Sequence, residues 1–298
     1  MISVIIPAYN VAPFIREAVD SALAQTRRDV EVIVVDDGST DGSADMLRDL
    51  DDPRLRVIRQ DNGGSASARN AGLRLASGEL VAFLDADDHW APNNLERLSG
   101  YLETHPEVDL TFGQSLIIDE QGRSLGRKTN GAGPVSLSSL LRDNEIGNGS
   151  CVLVRREALD RAGWFDPKLP ACVDIDLYVR VAALRPGNLV GIPEVLTFRR
   201  RRRGQVSSQW RRMEAGYLQL LERLRKSGMP ELQKEENRSR AGRYRYYAFL
   251  ALETGETGSA VRLLATGLCW APLWLLADRR TWGAGLRIFR RLLGSPRP

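Results

Sequence analysis

Short apolar runs alternate with amphipathic stretches along the first hundred residues of the chain. The apolar runs are rich in valine and isoleucine, which predicts buried strands, and the stretches between them repeat apolar residues at helical spacing. The predicted strands cover residues 2–6, 30–35, 55–59 and 80–84, and the predicted helices cover residues 13–25, 43–50, 65–76 and 92–104. This alternation predicts an α/β fold, with a mostly parallel sheet flanked by helices on both faces.

The pattern is less regular beyond residue 108. The elements predicted there are strands at 109–118 and 151–154 and helices at 177–184, 210–227 and 231–265. Residues 119–134 are rich in glycine, arginine and asparagine, which predicts a mobile loop.

Charge divides the chain into two parts. The net charge of +4 conceals 20 basic and 30 acidic residues in 1–198, against 22 basic and 8 acidic residues in 199–298. Together with the pattern of elements, this predicts a globular domain over 1–208 and a basic, helical extension over 209–298. The basic part carries no nucleic-acid-binding motif with interleaved aromatic residues, so we expect no nucleic-acid partner.

Composition argues against several other classes of protein. With 298 residues, 43% of them hydrophobic and 27% charged, the chain can bury a sizeable globular core. Its three cysteines form no CxxC pair and it has two histidines, which argues against a disulfide framework or a zinc site. The N-terminal apolar run has no basic residues before it and soon reaches Pro7, so it predicts a strand rather than a signal peptide. We expect a reducing, cytoplasmic setting.

The basic extension ends in a segment, residues 258–298, that combines tryptophans with arginines. Its apolar stretch over 263–277 contains Pro272 and is too short to span a bilayer. Tryptophan and arginine on amphipathic helices suit the interface of an anionic membrane, such as the inner face of the plasma membrane. A helical lid packed on the first domain, or a dimer contact, would explain the same pattern. The sequence leaves the oligomeric state open.

Polar residues follow each predicted strand of the first hundred residues. The four segments are Ala8-Tyr9-Asn10, Asp36-Asp37-Gly38-Ser39, Asp61-Asn62-Gly63-Gly64 and Asp85-Ala86-Asp87. Ligands of parallel sheets bind beyond the carboxyl ends of the strands, so we expect a binding site at this edge. An aromatic ring there could stack on a nucleobase, and a carboxylate could accept hydrogen bonds from a base or a ribose. Ordinary turns and helix capping would explain part of the same pattern.

Three acidic residues, Asp85, Asp87 and Asp88, follow the apolar run over residues 80–84. Carboxylates that lie close together repel each other and are costly to desolvate, and a divalent cation removes that repulsion. Oxygen ligands suit Mg²⁺ or Mn²⁺, which commonly bridge protein carboxylates to the phosphates of a substrate. The alternative is that Asp87 or Asp88 caps the helix predicted after residue 92.

Four motifs in this order resemble those of glycosyltransferase family 2, enzymes of the GT-A nucleotide-diphospho-sugar fold. The motifs are SVIIPAYN, VVDDGSTDGS, NGGSASARNAG and GELVAFLDADD. The resemblance implies a nucleotide-sugar-binding half over 1–108 and an acceptor-binding half over 109–208.

The resemblance also assigns roles to individual residues. It implies that Pro7, Ala8 and Tyr9 flank the base and ribose of the donor, and that Asp37 contacts the base with Arg69 close by. It implies that Asp85, Ala86 and Asp87 form a DxD motif, with Asp87 in direct contact with Mn²⁺ or Mg²⁺ and Asp85 as its partner. Asp36 and Asn62 lie in the same strand-end motifs, and we expect them at the donor as well.

The base that activates the acceptor hydroxyl lies, in such families, in an acidic motif before a helix. The matching stretch here is ACVDIDLY, residues 171–178, in which Val173 replaces the usual glutamate and Ile175 the usual aromatic residue. Asp174 is the expected base and Asp176 the second candidate. The alternative is that these aspartates cap the helix predicted from residue 177.

A basic or histidine-bearing stretch near the diphosphate is a further feature that the resemblance implies. Residues 204–208 resemble its end, and within the arginine run over 199–203 we expect Arg202 to replace the histidine. Arginines could steady the leaving diphosphate. A solvated or membrane-facing charge run is an equal alternative.

Together these features predict a metal-dependent, inverting glycosyltransferase. It would use a nucleotide-diphospho-sugar, with UDP the expected nucleotide, and transfer the sugar to a sugar or lipid-linked acceptor in surface-polysaccharide or glycolipid synthesis. One alternative is a sugar-phosphate nucleotidyltransferase, although residues 8–12 lack the glycine-rich, lysine-containing loop of that class. The other alternative is a non-catalytic nucleotide-sugar-binding scaffold at the membrane.

Overall fold

The computed structural model of the protein describes residues 1–129, 131–202, 204–205 and 208–292. The chain divides into two compact units. The first comprises Met1–Leu137, Asn144–Lys168 and Val173–Arg202, and the second comprises Ser138–Asp143, Leu169–Cys172 and Arg203–Pro298. Arg203, Val206 and Ser207 of the expected diphosphate stretch, and residues 293–298 of the basic extension, lie outside the described residues.

The first unit is built on one mixed sheet. Its described strands are β1 (Ile2–Ala8), β2 (Val30–Asp36), β3 (Leu55–Arg59), β4 (Leu80–Phe83), β5 (His89–Trp90), β6 (Leu110–Ile118), β7 (Ser124–Thr129), β8 (Gly133–Pro134), β9 (Val152–Arg155) and β10 (Leu189–Arg200). The strand order is β3-β2-β1-β4-β9-β6-β10-β5, with β7 paired to β6 and β8 paired to β10. Strands β3, β2, β1 and β4 run parallel, so their carboxyl ends meet at one edge of the sheet. Strand β9 is antiparallel to both β4 and β6.

Helices flank this sheet. Those of the first unit are α1 (Ile15–Leu23), α2 (Gly64–Leu75), α3 (Asn94–Thr104), α5 (Arg156–Ala162) and α6 (Val173–Ala182), with single 3₁₀ turns at Ser43–Leu47 and Gly149–Cys151. Helix α4 (Leu137–Arg142) belongs, apart from Leu137, to the second unit. Apolar side chains of β1 and β2 pack with those of α1 and α3 in one buried cluster. Strand β1 is buried along nearly its whole length, which explains why its sequence is apolar apart from Ser3.

Helix α2 packs closely on β1 because residue 72 is glycine. A Cβ atom at Gly72 would lie 2.5 Å from Cγ2 of Ile5. Small buried residues, Ala66, Ala68 and Ala71, line the same helix. This close approach fixes the position of Arg69, which lies on α2 one turn before Gly72.

Two predictions of local structure are wrong. Residues 43–50 contain a 3₁₀ turn at Ser43–Leu47 rather than an α-helix. The expected loop over 119–134 contains β7, whose residues Ser124–Thr129 pair antiparallel with β6. Every residue of β7 except the last is exposed, so the strand forms through pairing with its neighbour and not through burial of an apolar face.

Both capping alternatives for the acidic motifs are also wrong. Helix α3 begins at Asn94 and its N-cap residue is Asn93, so neither Asp87 nor Asp88 caps it. Helix α6 begins at Val173, four residues earlier than expected, which places Asp174 in its first turn and not before it.

The second unit is helical. Its described helices are α7 (Trp210–Lys226), α8 (Pro230–Glu253), α9 (Thr257–Trp270), α10 (Pro272–Ala277) and α11 (Arg279–Leu292). The single helix expected over 231–265 is divided at Gly255, whose φ of +88° ends α8 in the left-handed region that glycine tolerates. Within the described residues, no helix is both long enough and apolar enough to cross a bilayer.

Candidate functional site

The ends of β1 and β2 form the first part of the site. Tyr9 follows β1 and is 49% exposed, while Ala8 before it is buried and Pro7 is half-buried. Asn10 has a φ of +51°, and its Oδ1 accepts a hydrogen bond from the backbone N–H of Thr40 at 2.9 Å. The turn after β1 is therefore hydrogen-bonded to the turn after β2, and the ring of Tyr9 remains accessible.

Asp36 is the last residue of β2 and is buried. Its Oδ1 accepts a hydrogen bond from the N–H of Ser39 at 3.0 Å, and its Oδ2 lies 3.1 Å from Nη1 of Arg59. Arg59 also donates to the carbonyl oxygen of Ser39. The carboxylate of Asp36 thus stabilises the turn that presents the next residue, and its expected contact with a donor stays a prediction.

Asp37 holds the loop that follows β3. Its Oδ1 accepts hydrogen bonds from Nε2 of Gln60 at 2.7 Å and from the N–H of Gly63 at 2.9 Å, and its Oδ2 accepts one from the N–H of Gly64 at 2.8 Å. Asn62 is exposed in this loop. The structure therefore brings Tyr9, Asp37 and Asn62 to one edge of the sheet, as the sequence predicts.

Arg69 occupies the centre of the second part of the site. Its Nη2 donates a hydrogen bond to Oδ1 of Asp85 at 2.7 Å, and its Nη1 lies 3.3 Å from Oδ1 of Asp174. Arg69 is buried, and its guanidinium carbon lies 5.3 Å from the centroid of the Phe165 ring. A Cβ atom at Gly149 would lie 3.2 Å from Nη2 of Arg69, so glycine at this position leaves room for the cluster.

The electrostatic setting of Asp174 suits a proton acceptor. Burial raises the pKa of Asp174 above its ordinary value, the positive charge of Arg69 opposes that shift, and the negative charge of Asp85 adds to it. The side chain nevertheless keeps 25% of its surface accessible. A carboxylate that is partly accessible, held beside an arginine and more basic than usual can take a proton from a hydroxyl group.

Asp176 lies elsewhere. It is fully buried, and its Oδ2 accepts two hydrogen bonds from Arg180, at 2.7 and 3.0 Å. Arg180 in turn donates to the carbonyl oxygens of residues 162–164. The carboxylate of Asp176 therefore stabilises the chain between α5 and α6. Of the two candidates for the base, Asp174 is the one that lies beside Arg69.

Asp87 forms an ion pair with Arg202. Nε of Arg202 lies 2.6 Å from Oδ2 of Asp87, and both side chains are mostly buried. Asp88 accepts hydrogen bonds from Nδ2 of Asn148, from Oγ of Ser150 and from the backbone N–H of Arg200. Burial, followed by the charges of Asp87 and Asp85, raises the pKa of Asp88 to about 8.

These contacts change the electrostatic interpretation of the acidic trio. Asp85 is paired with Arg69 and Asp87 with Arg202, while burial and the charges of Asp87 and Asp85 hold the pKa of Asp88 above its ordinary value. Arg69 and Arg202 thus offset part of the negative charge of the trio, and the raised pKa of Asp88 reflects the repulsion that remains, which a cation would relieve.

The donor set still fits a divalent metal. Within the described residues, no group of three or more histidine, cysteine, aspartate or glutamate side chains is arranged to bind one. Asp85 and Asp87 are nevertheless two carboxylates of the type with which Mg²⁺ binds in proteins when phosphate and water oxygens complete its coordination. Asp85 is 31% exposed, so one of the two is open to such a ligand set.

Residues 148–150 form part of the site that the sequence did not predict. Residues 148–150 connect to both acidic motifs, because Ser150 accepts a hydrogen bond from the N–H of Asp85 and the carbonyl oxygen of Asn148 accepts one from the hydroxyl of Tyr178 on α6. Strand β10 ends at Arg200, whose N–H contacts Asp88, and Arg202, which the sequence predicts near the diphosphate, follows the strand and contacts Asp87. The available signal for residues 148–150 was their Asn-Gly-Ser sequence, which lies just before a short strand.

Comparison with known proteins agrees with this architecture. Residues 3–163 match the family described as Glycosyl transferase family 2. An uncharacterized glycosyltransferase of a Nostoc species is 38% identical over 181 residues, which cover 56% of this chain and 54% of that protein. A Rickettsia felis relative with the same description is 34% identical over 194 residues, or 62% of this chain and 32% of that one. The chain thus spans about half or less of the length of these relatives.

Solved structures share the fold at low sequence identity. S. aureus TarS in complex with UDP-GlcNAc aligns with a TM-score of 0.66 and 19% identity, over 100% of this chain and 93% of that one. A mannosyltransferase of Pyrobaculum calidifontis in complex with GDP-Man and Mn²⁺ aligns with a TM-score of 0.63 and 22% identity, over 99% and 88%. The fold is GT-A, and because the family match extends over more than half of its residues, the chain belongs to glycosyltransferase family 2.

Proposed function

We propose that this protein transfers a sugar from a nucleotide-diphospho-sugar to a hydroxyl group of an acceptor, with inversion at the transferred carbon. The observation that carries the proposal is the position of Arg69, which contacts Asp85 of the DxD motif and Asp174 of α6 at once. The buried guanidinium of Arg69 thus bridges Asp85, which we expect to bind the donor, and Asp174, the expected base. Membership of family 2 supports the reaction class, and inversion follows from the family resemblance.

Asp174 is the base in this proposal. It would accept the proton of the acceptor hydroxyl as the oxygen attacks the sugar carbon and the bond from that carbon to the diphosphate breaks. Its raised pKa supports this role, since an aspartate with the ordinary value would be a weaker base. The guanidinium of Arg69 would hold the carboxylate in position before transfer.

The donor would lie along the edge formed by β1, β2 and β4. Tyr9 offers an accessible ring for stacking on the base, and Asp37 fixes the glycine pair whose backbone a ligand can approach closely. Complexes of TarS with UDP-GlcNAc and of the Pyrobaculum mannosyltransferase with GDP-Man support a nucleotide-sugar donor. We propose UDP as the nucleotide.

Asp85 and Asp87 would hold Mn²⁺ or Mg²⁺. When bound, such an ion neutralises charge on the departing diphosphate. Arg202, which contacts Asp87, would interact with the same diphosphate once a cation is bound by the carboxylate. The Mn²⁺ in the complex of the Pyrobaculum enzyme supports the metal requirement.

A membrane surface is the proposed setting of the acceptor, with surface polysaccharide or glycolipid as its class. Five apolar side chains of α10 and α11 are exposed, and we call them the α10–α11 surface: Leu273, Leu276, Trp282, Leu286 and Phe289. Leu273 is 84% exposed and Trp282 is 64% exposed. Arg279, Arg287 and Arg290 are exposed beside them, and this combination suits an anionic bilayer interface.

A donor screen tests the transferase proposal. Thermal unfolding is measured with UDP-, GDP- and dTDP-sugars, each with and without Mn²⁺, and the donor that stabilises the protein is then incubated alone. We expect slow hydrolysis of one donor that requires Mn²⁺ and disappears in Asp174→Asn. Donor binding without turnover across a broad acceptor panel would instead indicate a scaffold.

A further inference from the structure

Phe165 lies against the guanidinium that contacts both carboxylates of the site. The centroid of its ring is 5.3 Å from the guanidinium carbon of Arg69, and both side chains are buried. The ring also packs edge-to-face with Phe83, the last residue of β4, with the two centroids 5.0 Å apart and an angle of 87° between the planes. Because Asp85 follows Phe83 by two residues, the ring contacts both Arg69 and the strand that leads to its carboxylate partner.

The backbone of Phe165 is held by the residue next to Arg69. Nδ2 of Asn70 donates to the carbonyl oxygen of Phe165 at 2.8 Å, and Oδ1 of Asn70 accepts a hydrogen bond from the N–H of Phe165 at 3.1 Å. Asn70 and Arg69 are consecutive residues of α2. One residue of α2 therefore binds the chain at Phe165, and its neighbour lies against the ring of that same residue.

The chain just before Phe165 is held from α6. Arg180 donates to the carbonyl oxygens of the three preceding residues, and Asp176 in turn accepts hydrogen bonds from Arg180. Asp174, the proposed base, lies on the same helix. The segment over residues 162–165 is therefore hydrogen-bonded to both helices whose side chains meet at the site, to α2 through Asn70 and to α6 through Arg180.

The polar contacts of Arg69 leave one edge of its guanidinium without a hydrogen bond. Its two Nη atoms contact Asp85 and Asp174, whereas Nε is among the buried atoms of the described residues that have no hydrogen-bond partner. A guanidinium contacted only at its two Nη atoms can tilt about the line that joins them. An aromatic ring within about 6 Å attracts such a cation to its face, so the ring of Phe165 opposes this tilt.

We propose that Phe165 is a positioning residue, whose ring orients the guanidinium of Arg69 so that it contacts Asp85 and Asp174 together. Without the ring, Arg69 would keep its shorter contact, the hydrogen bond of 2.7 Å with Asp85, and would move away from Asp174, which it approaches at 3.3 Å. The donor edge would stay intact, and the base would lose the group that holds it. The effect on catalysis rests on the proposed function, whereas the orientation of Arg69 does not.

Fluorination of the Phe165 ring tests the proposal, because fluorine withdraws electron density from the ring face and changes the size of the ring little. Mono-, di- and pentafluorophenylalanine are placed at position 165, and kcat, donor affinity and unfolding temperature are measured. We expect kcat to fall stepwise with fluorine content, by about tenfold for the pentafluoro ring, at unchanged donor affinity. The same series at Phe112, a fully buried residue of β6, is the matched control and should leave kcat unchanged. A lower unfolding temperature without a fall in kcat would show that Phe165 acts in core packing alone, which overturns the proposal.

A second measurement does not depend on turnover. NMR of the arginine side chains follows rotation of the Arg69 guanidinium about its Nε–Cζ bond, and Arg69→Lys identifies the signals. We expect two separate Nη signals in the wild type and in Phe112→Leu, and a single averaged signal in Phe165→Leu. The pentafluorophenylalanine protein replaces Phe165→Leu in this comparison if the leucine variant does not fold.

The two measurements separate this proposal from the proposed function. Identical Arg69 signals in the wild type and in the altered protein would overturn the positioning role of Phe165, even if the wild type transfers sugar. Restrained signals that are lost on alteration of Phe165, in a protein that turns over no donor, would support the positioning role and count against the proposed function.

Discussion

Nη1 of Arg69 lies 3.3 Å from Oδ1 of Asp174, while Nη2 of the same guanidinium donates to Asp85. Neutralising Asp174 therefore leaves Arg69 with one carboxylate partner and leaves the donor edge intact. We expect Asp174→Asn to lower kcat by a factor on the order of 10²–10⁴, the usual contribution of a general base, with unchanged donor affinity. Steady-state kinetics and a donor titration measure the two quantities.

Asp176→Asn is the matched control for that substitution. Asp176 accepts two hydrogen bonds from Arg180 in a fully buried position, so its loss should reduce the free energy of unfolding by about 2 kcal/mol. The folded fraction should keep its turnover. A larger loss of turnover in Asp176→Asn than in Asp174→Asn would reverse the assignment of the base.

The pH dependence of kcat/KM should report the environment of Asp174. Burial raises the pKa of this group above 3.8, so the base form is lost as pH falls through a value higher than that of an ordinary aspartate. We expect kcat/KM to rise with pH through this shifted value and then to level off. If kcat/KM instead falls only at or below the ordinary pKa of an aspartate, the result would contradict the burial of Asp174 that we infer.

Local patterns in the sequence were sufficient to place the donor edge. The runs that form β1, β2 and β4 are mostly apolar because both faces of these strands are covered, and a polar motif lies at the end of each. Close packing of α2 on β1, which needs glycine at position 72, carries Arg69 to the same edge. Tyr9, Asp37 and Asp85 were therefore predictable from their positions at strand ends.

The arginine partners of the acidic trio were not predictable in the same way. Asp87 and Arg202 are 115 residues apart, and their contact depends on β10, whose pattern is interrupted by Pro193 and an irregular register after Gly191. Strand β7 has no apolar face and forms only because β6 offers an edge. Such features depend on tertiary pairing, for which the local sequence carries no periodic signal.

Arg202→Gln should make the acidic motif a better metal site. The substitution removes the cation that contacts Asp87 at 2.6 Å, so Mn²⁺ no longer competes with it. We expect Mn²⁺ to bind about fivefold more tightly, equivalent to about 1 kcal/mol for a partly buried ion pair. Calorimetry with Mn²⁺ alone, without donor, measures this directly.

Turnover provides the second readout for Arg202. If its side chain moves to the diphosphate, kcat should fall in Arg202→Gln even though the metal binds more tightly. Arg97→Gln, which breaks an exposed ion pair with Glu194, is the control and should alter neither quantity. Weaker Mn²⁺ binding in Arg202→Gln would show that Arg202 supports the metal site and does not compete with it.

Gly72→Ala should destabilise the first unit. The new methyl group would lie 2.5 Å from Cγ2 of Ile5, so α2 or β1 must shift. Overpacking of this kind costs about 1–3 kcal/mol. Gly100→Ala is the control, because nothing lies within 4 Å of a Cβ atom there on α3, and the better helix propensity should raise stability by about 0.5–1 kcal/mol. Denaturant unfolding of both variants measures the difference, and equal stabilities would argue against the close packing of α2 on β1.

Substitution of the α10–α11 surface should weaken membrane binding. Trp282, Leu286 and Phe289 are all exposed on α11, and the triple change to serine removes most of its apolar contact with a bilayer. We expect co-sedimentation with phosphatidylglycerol vesicles to be lost in this variant and retained in Leu218→Ser, which removes an exposed leucine of α7. Binding should also weaken with salt and in phosphatidylcholine vesicles, because exposed arginines contribute about 1 kcal/mol each near an anionic surface. If the triple variant and the wild type bind the vesicles equally well, these three side chains do not contact the membrane.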